Sequence, residues 1–270
     1  MAHPYFDVPR PTVLGHRGAA GDAPENTLLA FERGLSQGAH ILESDVHLSR
    51  DGIPVLIHDP VVDRTTEASG AVGELSLAEL RELDAGYRFS PDAGETFPFR
   101  GTGLRIPTLE EAFATFPRAR FNLELKADRP GLVERCVELI KARAREALTL
   151  LTAEGDAIMG RIRDELQRTG VAPALGASVS DTVEVIRATL EKRPPSTDSM
   201  ALQIPTEFGG RPLVTPELVA HAHAHGIAIH VWTINARAEI DALLDQGADG
   251  IVTDYPGRMV KWIAQRGGSR

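Results

Sequence analysis

The chain has 270 residues, 42% of them hydrophobic and 25% charged, with a formal net charge of −9; this is the balance of a soluble globular protein with room for one large domain or two small ones. The acidic surplus counts against nucleic acid as the main partner, because phosphate backbones are gripped through excess Lys and Arg. An anionic small molecule would have to be drawn in by positive charge gathered locally. The single cysteine, Cys136, excludes an intrachain disulfide and a cysteine zinc cluster.

In chain order, the opening MAHPYFDVPRPT carries several prolines and no apolar core segment, so no secretory signal is expected. No apolar run approaches the ~18 residues of a spanning helix. A soluble, cytoplasmic protein without an integral membrane segment is expected, and nothing in the sequence fixes its oligomeric state. Strand-like runs then alternate with helical ones: TVLGH (12–16), HILESD (40–45), RFNLELK (120–126), LTLLT (148–152), PALGAS (173–178), MALQI (200–204), IAIHVWT (227–233) and DGIVTD (249–254). Helices are expected at 27–37, 108–116, 131–146, 156–169, 180–193, 215–225, 236–246 and 256–265. Thr215-Pro216 reads as an N-cap followed by proline at the first helical position, and Gly38, Gly226 and Gly247 stand where helices end. Cys136 lies at helical spacing with Leu132, Leu139 and Ile140, the pattern of a buried structural thiol. Eight strands alternating with eight helices predict an α/β fold, a (β/α)8 TIM barrel spanning 1–270 as one domain, with its active site at the C-terminal ends of the strands.

Two places break the rhythm. In ESDVHLSRDGIPVLIHD (43–59) an apolar strand returns too soon for a crossover helix, and Asp51-Gly52 is a two-residue hairpin signal. That turn would face Arg50 with Ile53 and Asp45 with His58, placing Glu43, Asp45 and His58 on one face. The second break, residues 60–105, is far longer than the ~2–6 residues of an ordinary βα loop. It holds Tyr87, Phe89, Phe97 and Phe99, as expected of an insertion over the catalytic face that walls the substrate; the alternative is a cap with its own small core.

Glu124 and Lys126 are two apart and share a strand face, pointing inward while Phe121, Leu123 and Leu125 point outward. Glu43, Asp45 and Glu124 then converge. Clustered carboxylates repel unless a cation sits among them, and hard oxygen donors without a Cys or His framework suit Mg²⁺ or Ca²⁺ rather than Zn²⁺. Around that ion would stand His16 and His58, residue types that serve as general acid and base near neutral pH. Arg17 and Lys126 would neutralise a phosphoryl group in its transition state.

These segments together — GHRG (15–18), PENT (24–27), ESD (43–45), DG (51–52), HD (58–59), ELK (124–126), VWT (231–233) and DGIVTDYP (249–256) — resemble the glycerophosphodiester phosphodiesterase family of phospholipase-C-like barrels. The resemblance implies a (β/α)8 barrel in which residues 60–105 are the family insertion. It implies metal ligation by Glu43, Asp45 and Glu124, catalysis by His16 and His58, phosphate contacts from Arg17 and Lys126, and a substrate-flanking role for Trp232. Glu25 and Asn26 would organise the mouth. The activity implied is metal-dependent hydrolysis of glycerophosphodiesters such as glycerophosphocholine or glycerophosphoethanolamine to sn-glycerol 3-phosphate and an alcohol. Which histidine is acid and which base, Mg²⁺ or Ca²⁺, and water or the glycerol 2-hydroxyl as nucleophile stay open. The chain departs from the family at LLTAEGDA (150–157), where a Ser-Phe pair is common; this touches the substrate wall and hence the preferred diester.

Other signals are weaker. His221, His223 and His225 invite a metal reading but belong to an outer helix without a third ligand type. His230 and Gln203 face inward, and Arg64-Thr65-Thr66 reads as a loop organiser as readily as a ligand contact. Two rival functions are kept: lysophospholipase D-type hydrolysis by the same site, and a non-catalytic barrel that binds phosphodiesters, against which the full set of histidines and acids counts.

Overall fold

The computed structural model describes residues 3–267. After a 3₁₀ turn at Pro4–Phe6 the chain forms β1 (Thr12–Gly15), α1 (Leu28–Ser36), β2 (Ile41–Leu48), β3 (Pro54–Leu56), α2 (Leu77–Glu82) and α3 (Leu109–Thr115). It continues with β4 (Arg120–Leu125), α4 (Leu132–Ala142), β5 (Thr149–Thr152), α5 (Asp156–Thr169), β6 (Ala174–Leu175) and α6 (Val179–Glu191). Last come β7 (Ala201–Ile204), a small hairpin of β8 (Glu207–Phe208) and β9 (Arg211–Pro212), α7 (Pro216–Ala224), β10 (Ala228–Val231), α8 (Arg237–Asp245), β11 (Gly250–Thr253) and α9 (Pro256–Gly267). Parallel pairing runs β6-β5-β4-β2-β1-β11-β10-β7, and a bridge from Gly176 to Ala201 brings the two ends together. The eight parallel strands thus make a nearly closed barrel of the TIM type, as the alternation predicts.

Side-chain alternation sorts the strands as expected. Phe121, Leu123 and Leu125 point out to a core shared with Phe113, Cys136 and Ile140 under the helices. Cys136 is fully buried there, and burial pushes its thiol well above the ordinary range. The inward residues Leu14, Ile41, Leu150, Ala174, Ala201, Ala228 and Val252 form a separate cluster with Tyr5, which plugs the N-terminal end of the barrel. Each large side chain so buried contributes roughly 1.5–3 kcal/mol. Caps fix where helices begin: the Thr27 hydroxyl accepts from Ala30 N–H, Thr215 accepts from Leu218 N–H with Pro216 at the first position, and Thr108 and Glu111 cap each other at α3.

Three sequence expectations are corrected. The β2–β3 register pairs Val46 with Leu56, His47 with Val55 and Leu48 with Pro54. Asp45 therefore lies opposite Ile57 rather than His58, and Ser49, not Arg50, faces Ile53. The turn has three residues, Arg50-Asp51-Gly52, because only Gly52 adopts positive φ (79°), whereas the two-residue turn would need it at Asp51 as well. The helix expected over 131–146 stops at Ala142; Ala144 takes φ 49° and the chain continues as a 3₁₀ turn, Glu146–Leu148. The β8–β9 hairpin was not anticipated, although Gly209-Gly210 at its tip is a two-residue turn signal.

Residues 60–105 carry a core of their own: Val62, Val72, Leu80 and Ala85 pack with Val55, Ile57 and Ile106. Its aromatic rings are engaged within that excursion and against α1. Phe89 meets Phe99 edge to face at 5.3 Å, Arg100 covers Tyr87 and Phe97 at 4.2 and 3.9 Å, and Arg33 of α1 lies over Phe99 at 5.0 Å. Among the described residues no helix is long and apolar enough to cross a membrane.

Candidate active site

Glu43 and Asp45 share the inward face of β2, and β4 lies beside it with Glu124 in register with Asp45. Each of the three offers a carboxylate oxygen, and these oxygens lie within 4.8 Å of one another. Glu43 and Asp45 are buried, at 8% and 1% exposure, so their charges are only weakly screened. Burial, and then the neighbouring Asp45 carboxylate, push Glu43 up to about 7. Burial also acts to raise Asp45, but Lys126 and Arg17 outweigh it and hold that carboxyl below the usual range. Lys126 Nζ bridges Asp45 and Glu124 at 3.1 and 2.8 Å. An oxygen-only donor set with one carboxylate kept partly protonated by burial and by a neighbouring carboxylate fits a hard divalent cation, whose charge would offset both.

A pH dependence follows. With its pKa raised to about 7 in the metal-free protein, Glu43 carries a proton below that pH and must release it to bind a cation, whereas Asp45 is already ionised. Apparent metal affinity should therefore fall by up to about tenfold per pH unit below 7, with proton release on binding, and level off above. Calorimetric titration at several pH values, in buffers of different ionisation enthalpy, measures both. Affinity that stays flat between pH 5.5 and 7.5 would contradict the assignment of Glu43.

The joint between β1 and α1 supplies the next groups. Gly18 takes φ 94°, and a Cβ there would lie 2.5–2.8 Å from Ala30 of α1, so only glycine lets the turn press onto the helix. The turn aims the Arg17 backbone N–H at Glu43 Oε2 (2.9 Å) and brings Arg17 Nε within 3.3 Å of Asp45 Oδ2. His16 Nε2 stands 4.0 Å from Glu43 Oε2, and its Nδ1 pairs with Asp254 Oδ1 at 2.6 Å. Burial would lower the His16 pKa; the Asp254 hydrogen bond and Glu43 more than offset this and raise it. Asn235 Nδ2 donates to the other Asp254 oxygen at 2.6 Å.

His58 arrives by a different route from the one the hairpin count suggested. β3 ends at Leu56, and the bend beyond it brings His58 close enough to Asp45 for its charge to lower the Asp45 carboxyl. His58 Nδ1 pairs with Asp59 Oδ1 at 2.6 Å. Arg64 then ties the mouth together: it donates to Asp59 (Nε–Oδ2, 2.7 Å) and to both oxygens of Glu25 (2.7 Å each), while Arg17 Nη1 reaches Glu25 at 2.8 Å. Asn26 Nδ2 donates to Asp45 Oδ2 at 3.0 Å and its Oδ1 accepts from Ser44 at 2.6 Å. Glu25 and Asn26 thus organise the mouth, and Arg64 is a loop organiser that also bears on His58.

Asp59, Asp254 and Asn235 were missed as partners by sequence reasoning; for the two aspartates the available signal was a carboxylate just beyond a strand. Trp232 stands at the end of β10, 45% exposed on the rim. His230 is interior, in ring contact with Phe6 at 6.3 Å, and burial lowers it to about 4, so it is neutral. Gln203 lies beside it in register. The outer-helix histidines are engaged locally: His225 with the His221 carbonyl oxygen at 2.9 Å, His223 with Asp249 at 2.7 Å.

The Glycerophosphoryl diester phosphodiesterase family matches residues 16–258. The chain is 31% identical over 263 residues to a glycerophosphodiester phosphodiesterase of Caldanaerobacter subterraneus, covering 94% of this chain and 98% of that protein. It is 28% identical to a lysophospholipase D of Rattus norvegicus over 93% of this chain and 85% of the relative. It is similar in structure to a phosphodiesterase of Oleispira antarctica solved with the product sn-glycerol-3-phosphate, with a TM-score of 0.79, 30% identity, and coverage of 97% of this chain and 99% of that one.

Proposed function

The chain belongs to the glycerophosphoryl diester phosphodiesterase family and is a phosphoric diester hydrolase; from that premise we propose that it cleaves small glycerophosphodiesters, such as glycerophosphocholine and glycerophosphoethanolamine, to sn-glycerol 3-phosphate and the free alcohol. The observation that carries this reading is the convergence of Glu43, Asp45 and Glu124 beside His16 Nε2 and the two cations Arg17 and Lys126. These three carboxylates are the residues that would hold the divalent cation, Mg²⁺ or Ca²⁺. Bound there, the ion supplies Lewis-acid neutralisation of phosphoryl charge.

The chain's own residues do the rest. Arg17 and Lys126 bind the phosphoryl oxygens and stabilise the charge that grows on them. His16 and His58, each held at Nδ1 by a carboxylate, present Nε2 to the substrate. One imidazole takes the proton of the attacking hydroxyl, and the other gives a proton to the departing alkoxide. Trp232 flanks the substrate from the rim, and the barrel with its 60–105 excursion works as one domain. The product glycerol phosphate of the Oleispira antarctica relative supports this substrate side.

A second reading, hydrolysis of lysophospholipids by the same residues, is favoured by the exposed apolar side chains Phe208 and Trp232 beyond β7 and β10 and by the similarity to a lysophospholipase D. The test is release of sn-glycerol 3-phosphate from glycerophosphocholine by the purified chain with Mg²⁺ or Ca²⁺, and its loss in EDTA. Absence of that product from every glycerophosphodiester at saturating metal would overturn the proposal. A steep rise of kcat/KM along a series of lysophosphatidylcholine chain lengths would favour the second reading.

A further inference from the structure

We propose that the groove leading from the carboxylate triad past the β5–α5 loop is the subsite for the departing alcohol, and that Glu154 selects a cationic amino alcohol there. The proposal rests on the reading of the chain as a glycerophosphodiesterase and names the headgroup class of that same site.

The groove encloses about 390 Å³, and Glu124, Lys126, Glu154, Asp156, Ile158 and Val179 line it. Its volume falls in the ~300–1,000 Å³ range of small-molecule sites. One end is therefore the catalytic site itself, because Glu124 belongs to the triad and Lys126 bridges it to Asp45. A group leaving the phosphorus at that end has the groove in front of it.

The charges along the groove are not equivalent. The Lys126 ammonium is held between Asp45 and Glu124. Asp156 accepts from the Ser180 N–H at 3.1 Å and its hydroxyl at 2.5 Å. Glu154 is exposed, and among the described residues its carboxylate has no side-chain or backbone partner. Its position is nonetheless fixed, because the Glu154 carbonyl oxygen accepts from Val179 N–H at 3.1 Å and clamps the loop to the start of α6. Val179, 52% exposed, and Ile158 add apolar surface to the same wall. A carboxylate beside an apolar wall is the complement of a substituted ammonium, whose charge and methyl groups it meets separately.

The aromatic rings of residues 60–105 do not offer that complement. Arg100 covers the rings of Tyr87 and Phe97, and Arg33 covers Phe99, so these faces already hold cations.

The experiment compares glycerophosphocholine with the uncharged-headgroup diester glycerophosphoglycerol, using the full chain with saturating Mg²⁺ or Ca²⁺. Because Glu154 is solvent-exposed, its charge is partly screened, and the ratio of kcat/KM for choline over glycerol diester should fall about 1.5–5-fold in Glu154→Gln. It should fall further in Glu154→Lys, with the change carried by KM. The wild-type preference should also shrink between low and high salt. Turnover of both diesters with the ratio unchanged in both variants overturns the groove assignment and leaves the hydrolase reading standing. Failure of the wild-type chain to release sn-glycerol 3-phosphate from either diester overturns both.

Discussion

Replacing His16 or His58 with alanine should lower kcat by ~10²–10⁴-fold, the usual contribution of a positioned acid or base. The geometry supports an effect of that size. His16 is fixed on two sides, by Asp254 at Nδ1 and by the β11 backbone, since its N–H donates to the Thr253 carbonyl oxygen at 2.9 Å. His58 is held through Asp59 and Arg64. Because the two imidazoles serve one transition state, the double variant should lose less than the product of the single losses. Steady-state kinetics on the three variants measures this, and a full multiplicative loss would point to independent roles. Asp254→Asn adds a check on positioning. It keeps the side-chain shape but removes the charge that raises the His16 pKa, so kcat should fall and the limb of the pH profile belonging to His16 should move to lower pH. A fall in kcat with an unmoved profile would mean that Asp254 is only a structural support.

Loss of any of the three carboxylates should abolish metal-dependent turnover. Glu43→Ala, Asp45→Ala and Glu124→Ala differ in what they leave behind. Removing Asp45 takes away the carboxylate that pairs with Lys126 and Arg17 and accepts from Asn26, so this variant should also lose thermal stability. Glu124 is the most exposed of the triad, at 25% of its side chain, and among the described residues its only ion pair is with Lys126. Glu124→Ala should therefore retain the fold and lose metal affinity, which titration calorimetry and thermal melting separate. Normal turnover of Glu124→Ala at limiting metal would remove it from the ligand set.

How much of this was legible in the sequence depended on range. The barrel was legible because turn residues and apolar runs repeat locally, and the inward direction of Glu43, Asp45 and Glu124 because period-two alternation needs no knowledge of register. His58 was placed at the site for a reason that did not hold. The turn counted from Asp51-Gly52 was one residue too short, and a one-residue slip moves every partner to the other face. His58 still lies close enough for its charge to act on Asp45, because β3 ends two residues earlier. The pairing of His16 with Asp254 joins residues 238 apart in sequence, a distance at which spacing carries no signal. The aromatics of residues 60–105 looked like a substrate wall by composition, yet Phe99 stacks under Arg33, a partner supplied by a helix on the other side of β2 in the chain.

The central claim is that one divalent cation binds among Glu43, Asp45 and Glu124 with the phosphoryl group beside it. Crystals of the chain grown with Mn²⁺ and sn-glycerol 3-phosphate, measured at the manganese absorption edge, test it directly. The account predicts a single strong anomalous peak with an oxygen of each carboxylate at ~2.0–2.6 Å and the phosphate within reach of Arg17 and Lys126. A peak coordinated elsewhere, or an ion ligated by histidine nitrogens while Lys126 still bridges Asp45 and Glu124, would contradict it.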